Sequence, residues 1–246
     1  MMTIWSKNLK GVNMIKDEIA KKFQENNIEI NETQLQQFEE YYNLLIEWNN
    51  KFNLTAITEL DEVIEKHFID SVLPLKNLNK LKIIDIGAGA GFPSVPLKIM
   101  NPDIELVMVD SVNKKITFLN EVINKLGLKN AKAVHSRVED LANNPNYREK
   151  FDLGVARAVA SLNILSEYVL PFVRLGGKFV AYKSVTAEEE LKIAKNAIKI
   201  LGGTLKGVEN YSLGENSRVI ITINKTLKTP PKYPRDKNKP RLSPIV

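Results

Sequence analysis

The chain has 246 residues, 43% of them hydrophobic and 26% charged, the make-up of a folded protein with one full core and room for a smaller appendage. It contains no Cys and only His67 and His135, which removes disulfides, thiolate nucleophiles and thiolate metal sites and argues against a zinc centre. The net charge of +6 suits a polyanionic partner, and neither a membrane-length apolar run nor the apolar stretch of a signal peptide is visible, so a cytoplasmic location is expected.

Residues 12–80 lack strand alternation and read as helices. In TQLQQFEEYYNLLIEWNNKFN, Leu35, Phe38, Tyr42, Leu45, Trp48 and Phe52 recur at three- and four-residue steps, the stripe of an amphipathic helix facing a core. A second helix is expected after Thr58, whose hydroxyl would cap amides near Asp61, and it runs through DEVIEKHFIDSVLPL until Pro74 disrupts it.

The pattern then changes. LKIIDIG, IELVMVD, AKAVHS, FDLGVARA and GGKFVAYK read as strands, with helices between them and a last helix in AEEELKIAKNAIKIL. Such alternation predicts a parallel sheet covered on both faces, with ligands at the carboxyl ends of its strands. GTLKGVENYSL and SRVIITINK are separated only by a turn, so they predict a hairpin and an antiparallel last strand. The tail PPKYPRDKNKPRLSPIV carries Lys232, Arg235, Lys237, Lys239 and Arg241 against the single acid Asp236. Its prolines forbid a regular helix or central strand, which predicts an extended, mobile basic arm, either an RNA contact or a plain solvated terminus.

The glycine loop carries the chemistry. Gly87, Gly89 and Gly91 follow a buried strand and lead into a helix, the context of a nucleotide-type site rather than of a turn that merely needs glycine. Their Gly-x-Gly-x-Gly spacing departs from the dinucleotide fingerprint. Asp85, two residues before the first glycine, is awkward beside a pyrophosphate but favourable beside an α-amino group, which S-adenosylmethionine carries and NAD lacks. Asp110 ends the second strand where an acid holds ribose hydroxyls, and Glu139 follows the third at the height of an adenine edge. Together with the closing hairpin these favour the methyl donor over NAD.

At this point the chain resembles the ribosomal small-subunit RNA guanine-N(7) methyltransferases, the glucose-inhibited division protein B family. The resemblance rests on NLTAI at 53–57, HFIDS at 67–71, DIGAGAGFPSVPL at 85–97, VDSVNKK at 109–115, SRVED at 136–140, ARAVASL at 156–162 and AYKS at 181–184. It implies a Rossmann-like methyltransferase with a mostly parallel seven-stranded sheet, divided into a helical element at 1–80, a core at 81–228 and a basic tail at 229–246. It implies donor contacts at Gly87, Phe92, Val138, Glu139 and Arg157, with Asp110 and Ser111 at the ribose. The expected partner is 16S ribosomal RNA or the small subunit, with no membrane, no metal and a monomeric protein. Met14 is a candidate start, because such chains usually open there.

Guanine N(7) has a free lone pair and no proton to lose, so no general base is needed. That agrees with the absence of a Cys for pyrimidine C5 methylation. NPNY at 144–147 resembles an amino-methylation loop, but it precedes the fourth strand and reads as a turn. Arg157 is expected to close the donor pocket and face the base, and Lys183 to contact RNA phosphate or a base edge, unless it is a plain strand-end cation. His67 and Asp70, three apart, are expected to pair on one helix face, in a substrate-side or a packing role. His135 is expected to be structural. Two rivals stand: an NAD-dependent oxidoreductase, and an RNA-binding assembly factor on a methyltransferase scaffold.

Overall fold

The computed structural model describes residues 4–157, 159–184, 186–214 and 216–246, with side chains from residue 14 onward. Among the described residues, β1 (Lys82–Ile86), β2 (Glu105–Asp110), β3 (Ala131–His135), β4 (Phe151–Arg157), β5 (Val173–Lys183), β6 (Gly203–Leu213) and β7 (Asn216–Lys225) form one sheet in the order β3-β2-β1-β4-β5-β7-β6. The first five pair in parallel, and β7 runs antiparallel between β5 and β6. This is the mostly parallel sheet with an antiparallel last strand that the alternation predicts.

The sheet is apolar on both faces because helices cover both. In β1, Ile83 enters one core and Ile84 and Ile86 enter the other. The first core is closed by α1 (Ile4–Glu25), α2 (Glu32–Asn49), α5 (Ser94–Met100) and α6 (Asn113–Lys125). The second is closed by α7 (Val138–Leu141), α8 (Leu162–Val169) and α9 (Ala187–Ile200).

Asn31 starts α2 with a capping box, its side chain accepting from Gln34 N at 3.0 Å while Gln34 Oε1 accepts from Asn31 N at 2.9 Å. The buried face of α2 is centred on Phe38, Tyr41, Leu44 and Leu45, one position away from the stripe read through Tyr42. Tyr41 is drawn inward because its hydroxyl donates to the Ala90 carbonyl at 2.6 Å, tying the helix to the glycine loop.

The second predicted helix is three pieces. α3 (Leu60–Val63) passes into a π-helical turn, Ile64–Ile69, and then α4 (Asp70–Val72). Glu59 rather than Thr58 occupies the cap position, with no side-chain cap bond, so the expected Thr58 cap is not formed. Thr58 instead offers its carbonyl to the Tyr42 hydroxyl at 3.3 Å. π-Turns of this kind often mark functional positions, and this one carries His67.

The tail is docked, which corrects the expectation of a mobile arm. Prolines prevent it from forming ladders, but side chains of the core satisfy its backbone instead. Arg148 donates to the carbonyls of Tyr233, Thr229 and Pro230 at 2.9, 3.1 and 3.2 Å. Arg235 grips Glu167 with its Nε at 2.9 Å and its Nη2 at 2.7 Å, and Glu167 is 1% exposed. Arg235→Ala leaves that carboxylate buried without its partner, so we expect a loss of about 3 kcal/mol in denaturant unfolding. Wild-type stability in the variant would contradict the docked arrangement.

Candidate functional site

A cavity of about 1110 Å³ opens at the carboxyl ends of β1, β2, β4 and β5. Its volume is at the upper end of the roughly 300–1,000 Å³ common for ligand pockets, room for a nucleoside-sized molecule with a second group beside it. One end is lined by Gly87, Gly89, Asp110, Ser111, Val138 and Glu139, and the other by His67, Asp70, Arg157, Tyr211 and Arg218.

At the first end each glycine has its own reason. Gly89 adopts φ +59°, and a Cβ there would meet nothing closer than the Gly87 carbonyl at 3.9 Å, so its missing side chain keeps the cavity open. Gly91, at φ +97°, serves packing, since a Cβ would lie 2.6 Å from Val95 and 2.8 Å from the Tyr41 hydroxyl. Gly87 faces Val159, whose Cγ2 would lie 2.8 Å from an added Cβ. Asp110 holds the loop by accepting from Gly89 N at 3.0 Å and Val112 N at 2.9 Å.

Asp85 lies behind this loop, 0% exposed, one residue inside a lining that begins on this strand at Ile86. Neither carboxylate oxygen has a hydrogen-bond partner among the described residues, and neither does the Ser94 hydroxyl. Ser94, through its hydroxyl and its backbone amide, favours the charged form. Burial dominates, and it raises the Asp85 pKa to about 7 against the pull of Ser94 and the Arg157 charge. A buried, unpartnered carboxylate beside an open glycine loop fits a ligand that brings its own cation, as the amino-acid end of S-adenosylmethionine does.

The second end is organised by Asp70, 4% exposed. Its carboxylate accepts from Arg157 Nη1 at 3.1 Å, Arg218 Nε at 3.2 Å and the Tyr211 hydroxyl at 2.9 Å. Arg157 Nη2 also lies 3.2 Å from His67 Nδ1. The expected direct His67–Asp70 pair is therefore replaced by one guanidinium serving both. Nδ1 also lies 3.2 Å from the Lys66 carbonyl and Nε2 3.0 Å from Thr55 Oγ1; because a guanidinium only donates, the bond to Arg157 is made by the tautomer whose hydrogen is on Nε2. Burial first, then the Arg157 charge, lowers the His67 pKa to about 3, so the ring is neutral at physiological pH. It stacks on Phe92 with centroids 4.2 Å apart, and the Arg157 guanidinium lies 5.1 Å from the same ring's centroid.

Other residues read from the sequence are placed differently. Lys183 Nζ donates to the Ala160 carbonyl at 2.6 Å and pairs with Glu190 at 2.7 Å, so its charge is engaged inside the chain and not offered outward. Arg235 is held by Glu167, and Lys232 lies over the Tyr233 ring, 5.3 Å from its centroid. His135 is exposed at the end of β3, its Nε2 lying 3.0 Å from the Ser111 carbonyl. NPNY is a turn, closed by Tyr147 N donating to the Asn144 carbonyl at 2.9 Å. Tyr41, Tyr211 and Arg218 carried no local signal. Only strand pairing brings the β6–β7 hairpin to Asp70.

Comparison with known proteins gives a consistent set. The family model described as rRNA small subunit methyltransferase G matches residues 34–220. Relatives named ribosomal RNA small subunit methyltransferase G include those of Lachnoclostridium phytofermentans, 48% identical over 89% of this chain and 93% of theirs, and Lactobacillus acidophilus, 46% identical over 93% and 98%. Among solved structures, the cyclase SpnF superposes with a TM-score of 0.56 at 12% identity over 79% of this chain and 96% of its own. A 16S rRNA (adenine(1408)-N(1))-methyltransferase from Catenulisporales acidiphilia gives 0.50 at 12%, over 62% and 88%. At such identity these two establish the fold alone, and the cyclase shows that this fold hosts other chemistry.

Proposed function

The chain belongs to the rRNA small subunit methyltransferase G family, and from that membership we propose that its cavity binds S-adenosylmethionine and methylates N(7) of a guanine in 16S ribosomal RNA. The observation that carries the reading is one cavity that joins a glycine loop, with an unpartnered carboxylate buried behind it, to a pocket walled by arginines. In this reading the donor end is Gly87, Gly89, Phe92, Asp110, Ser111, Val138 and Glu139, while Gly91 lets the loop pack against Val95 and Tyr41 from behind. Asp85 supplies the charge behind the loop, and Arg157 stands where donor and base meet. The partner is 16S rRNA or the small subunit, in the cytoplasm. No helix among the described residues is long and apolar enough to cross a membrane.

When bound, S-adenosylmethionine supplies an electrophilic methyl group on its sulfonium. The chain's own task is positioning and exclusion of water. N(7) offers a lone pair and has no proton to remove, which suits a pocket whose imidazole is held neutral and bonded on both nitrogens. The arginines belong opposite O6 rather than N(7), because a donor on N(7) would occupy the lone pair that must attack.

Mass spectrometry of ribosomal nucleosides tests this, using small-subunit particles that lack the modification. Incubation with the protein and labelled S-adenosylmethionine is expected to produce labelled 7-methylguanosine in 16S rRNA. Donor binding without label in any RNA form would favour the assembly-factor reading. NADH binding with no heat from S-adenosylhomocysteine would favour the oxidoreductase.

A further inference from the structure

The family model ends at residue 220, yet the cavity continues beyond it, because Asn238 and Arg241 of the docked tail are part of its wall. Asn238 caps α10 (Lys239–Leu242) and Arg241 lies within it. The segment packs against α8. We propose that this segment completes the donor site, with Arg241 contacting the nucleobase of the bound nucleoside across from Glu139. The proposal rests on the reading of the cavity as the donor site.

Three sets of observations carry it. First, the tail is held at this place from several sides: Glu167 takes Arg235, Asn163 Nδ2 donates to the Ile245 carbonyl at 2.9 Å and Asn196 Nδ2 to the Val246 carbonyl at 2.8 Å. Asn163 and Glu167 stand on α8, which also contributes Tyr168 to the cavity. The same helix therefore anchors the tail and lines the site.

Second, Arg241 is turned to the cavity mouth. Its Nη2 donates to the Val159 carbonyl at 3.2 Å, and Val159 is the residue against which Gly87 packs. A guanidinium carries five N–H donors; the Val159 carbonyl takes one and the Tyr168 hydroxyl another, which leaves others for a ligand. Third, Glu139 and Arg241 act on the same neighbour: the charge of Glu139 raises the Tyr168 pKa, after burial, while Arg241 opposes the rise. An acceptor and a multiple donor thus meet at one end of the cavity. Adenine presents the complement, an exocyclic amine that donates and ring nitrogens that accept.

The test separates the two ends of the ligand. Binding of S-adenosylhomocysteine and of 5′-methylthioadenosine, which keeps the nucleoside but lacks the amino-acid end, is measured by calorimetry on the full chain. Arg241→Ala is expected to weaken both ligands by about tenfold, the loss of one charge-assisted contact, with an unchanged melting temperature because the side chain is exposed. Arg241→Gln, which keeps a donor for Val159 but not the charge, is expected to show the same loss. Asp85→Asn should weaken S-adenosylhomocysteine alone. Wild-type affinity of both Arg241 variants for methylthioadenosine, or a loss confined to S-adenosylhomocysteine, overturns the contact. If the unaltered protein binds neither ligand, the donor site itself is wrong.

Discussion

Asp85→Asn is expected to stabilise the ligand-free protein at pH 8 and to weaken S-adenosylmethionine binding by about tenfold to a hundredfold. The carboxylate is wholly buried and neither oxygen is bonded among the described residues, so its charge is a cost in the free protein that an amide of the same shape removes. A ligand ammonium restores the balance, and losing one such attraction across a protein interior is worth roughly 1.4–2.8 kcal/mol. The sign follows from the pKa, raised from 3.8 to about 7 by burial. The group's contribution to stability is complete below 3.8, falls as pH rises and is gone above about 7. The variant should lack that slope. At pH 6 donor binding should also release a proton from Asp85, visible as a dependence of the binding heat on buffer ionisation that disappears at pH 8.5. A variant no more stable at pH 8, with unchanged donor affinity, would contradict the role.

Arg157→Ala is expected to lower kcat by about a hundredfold or more, with a smaller loss of donor affinity. One guanidinium joins Asp70, His67 and the Phe92 ring, and a reacting group displaced by about 1 Å can lose two orders of magnitude. Asp70 keeps Arg218 and Tyr211, so the fold should survive, at less than the roughly 3–5 kcal/mol of a fully broken buried pair. Arg157→Lys restores one contact to Asp70 but not the fork to His67, and should fall between. His67 gives a second readout of the contact. Its pKa of about 3 is set by burial first and the Arg157 charge second, so removing that charge should move the ring's NMR titration upward. An unmoved titration with wild-type kcat would remove Arg157 from the site. In the unaltered protein His67 stays neutral, so its contribution to stability is present above pH 6.5 and declines as pH falls toward 3.

What was legible in the chain followed from local pattern. The glycine spacing, Asp85, Asp110 and Glu139 all sit at strand ends, where period and punctuation identify them, and the turn between β6 and β7 announces the antiparallel strand. What was not legible depends on partners distant in sequence. Asp70 meets Tyr211 and Arg218 only after β7 inserts between β5 and β6, and no spacing rule connects residues so far apart. The tail has the composition of a disordered arm, but Arg148 and Glu167, unremarkable where they stand, satisfy it. The π-helical turn shifts His67 away from the three-residue pairing that an α-helix would give it. Similarly, one hydroxyl bond to the Ala90 carbonyl turns Tyr41 rather than Tyr42 inward.

The measurement closest to the centre of this account is a crystal structure of the complex with S-adenosylhomocysteine. The ligand's amino group is predicted on the Asp85 side of the glycine loop, its ribose at Asp110, and its adenine between Val138–Glu139 and the tail. A ligand lying in the reverse sense, or a cavity left empty at saturating concentration, would contradict it.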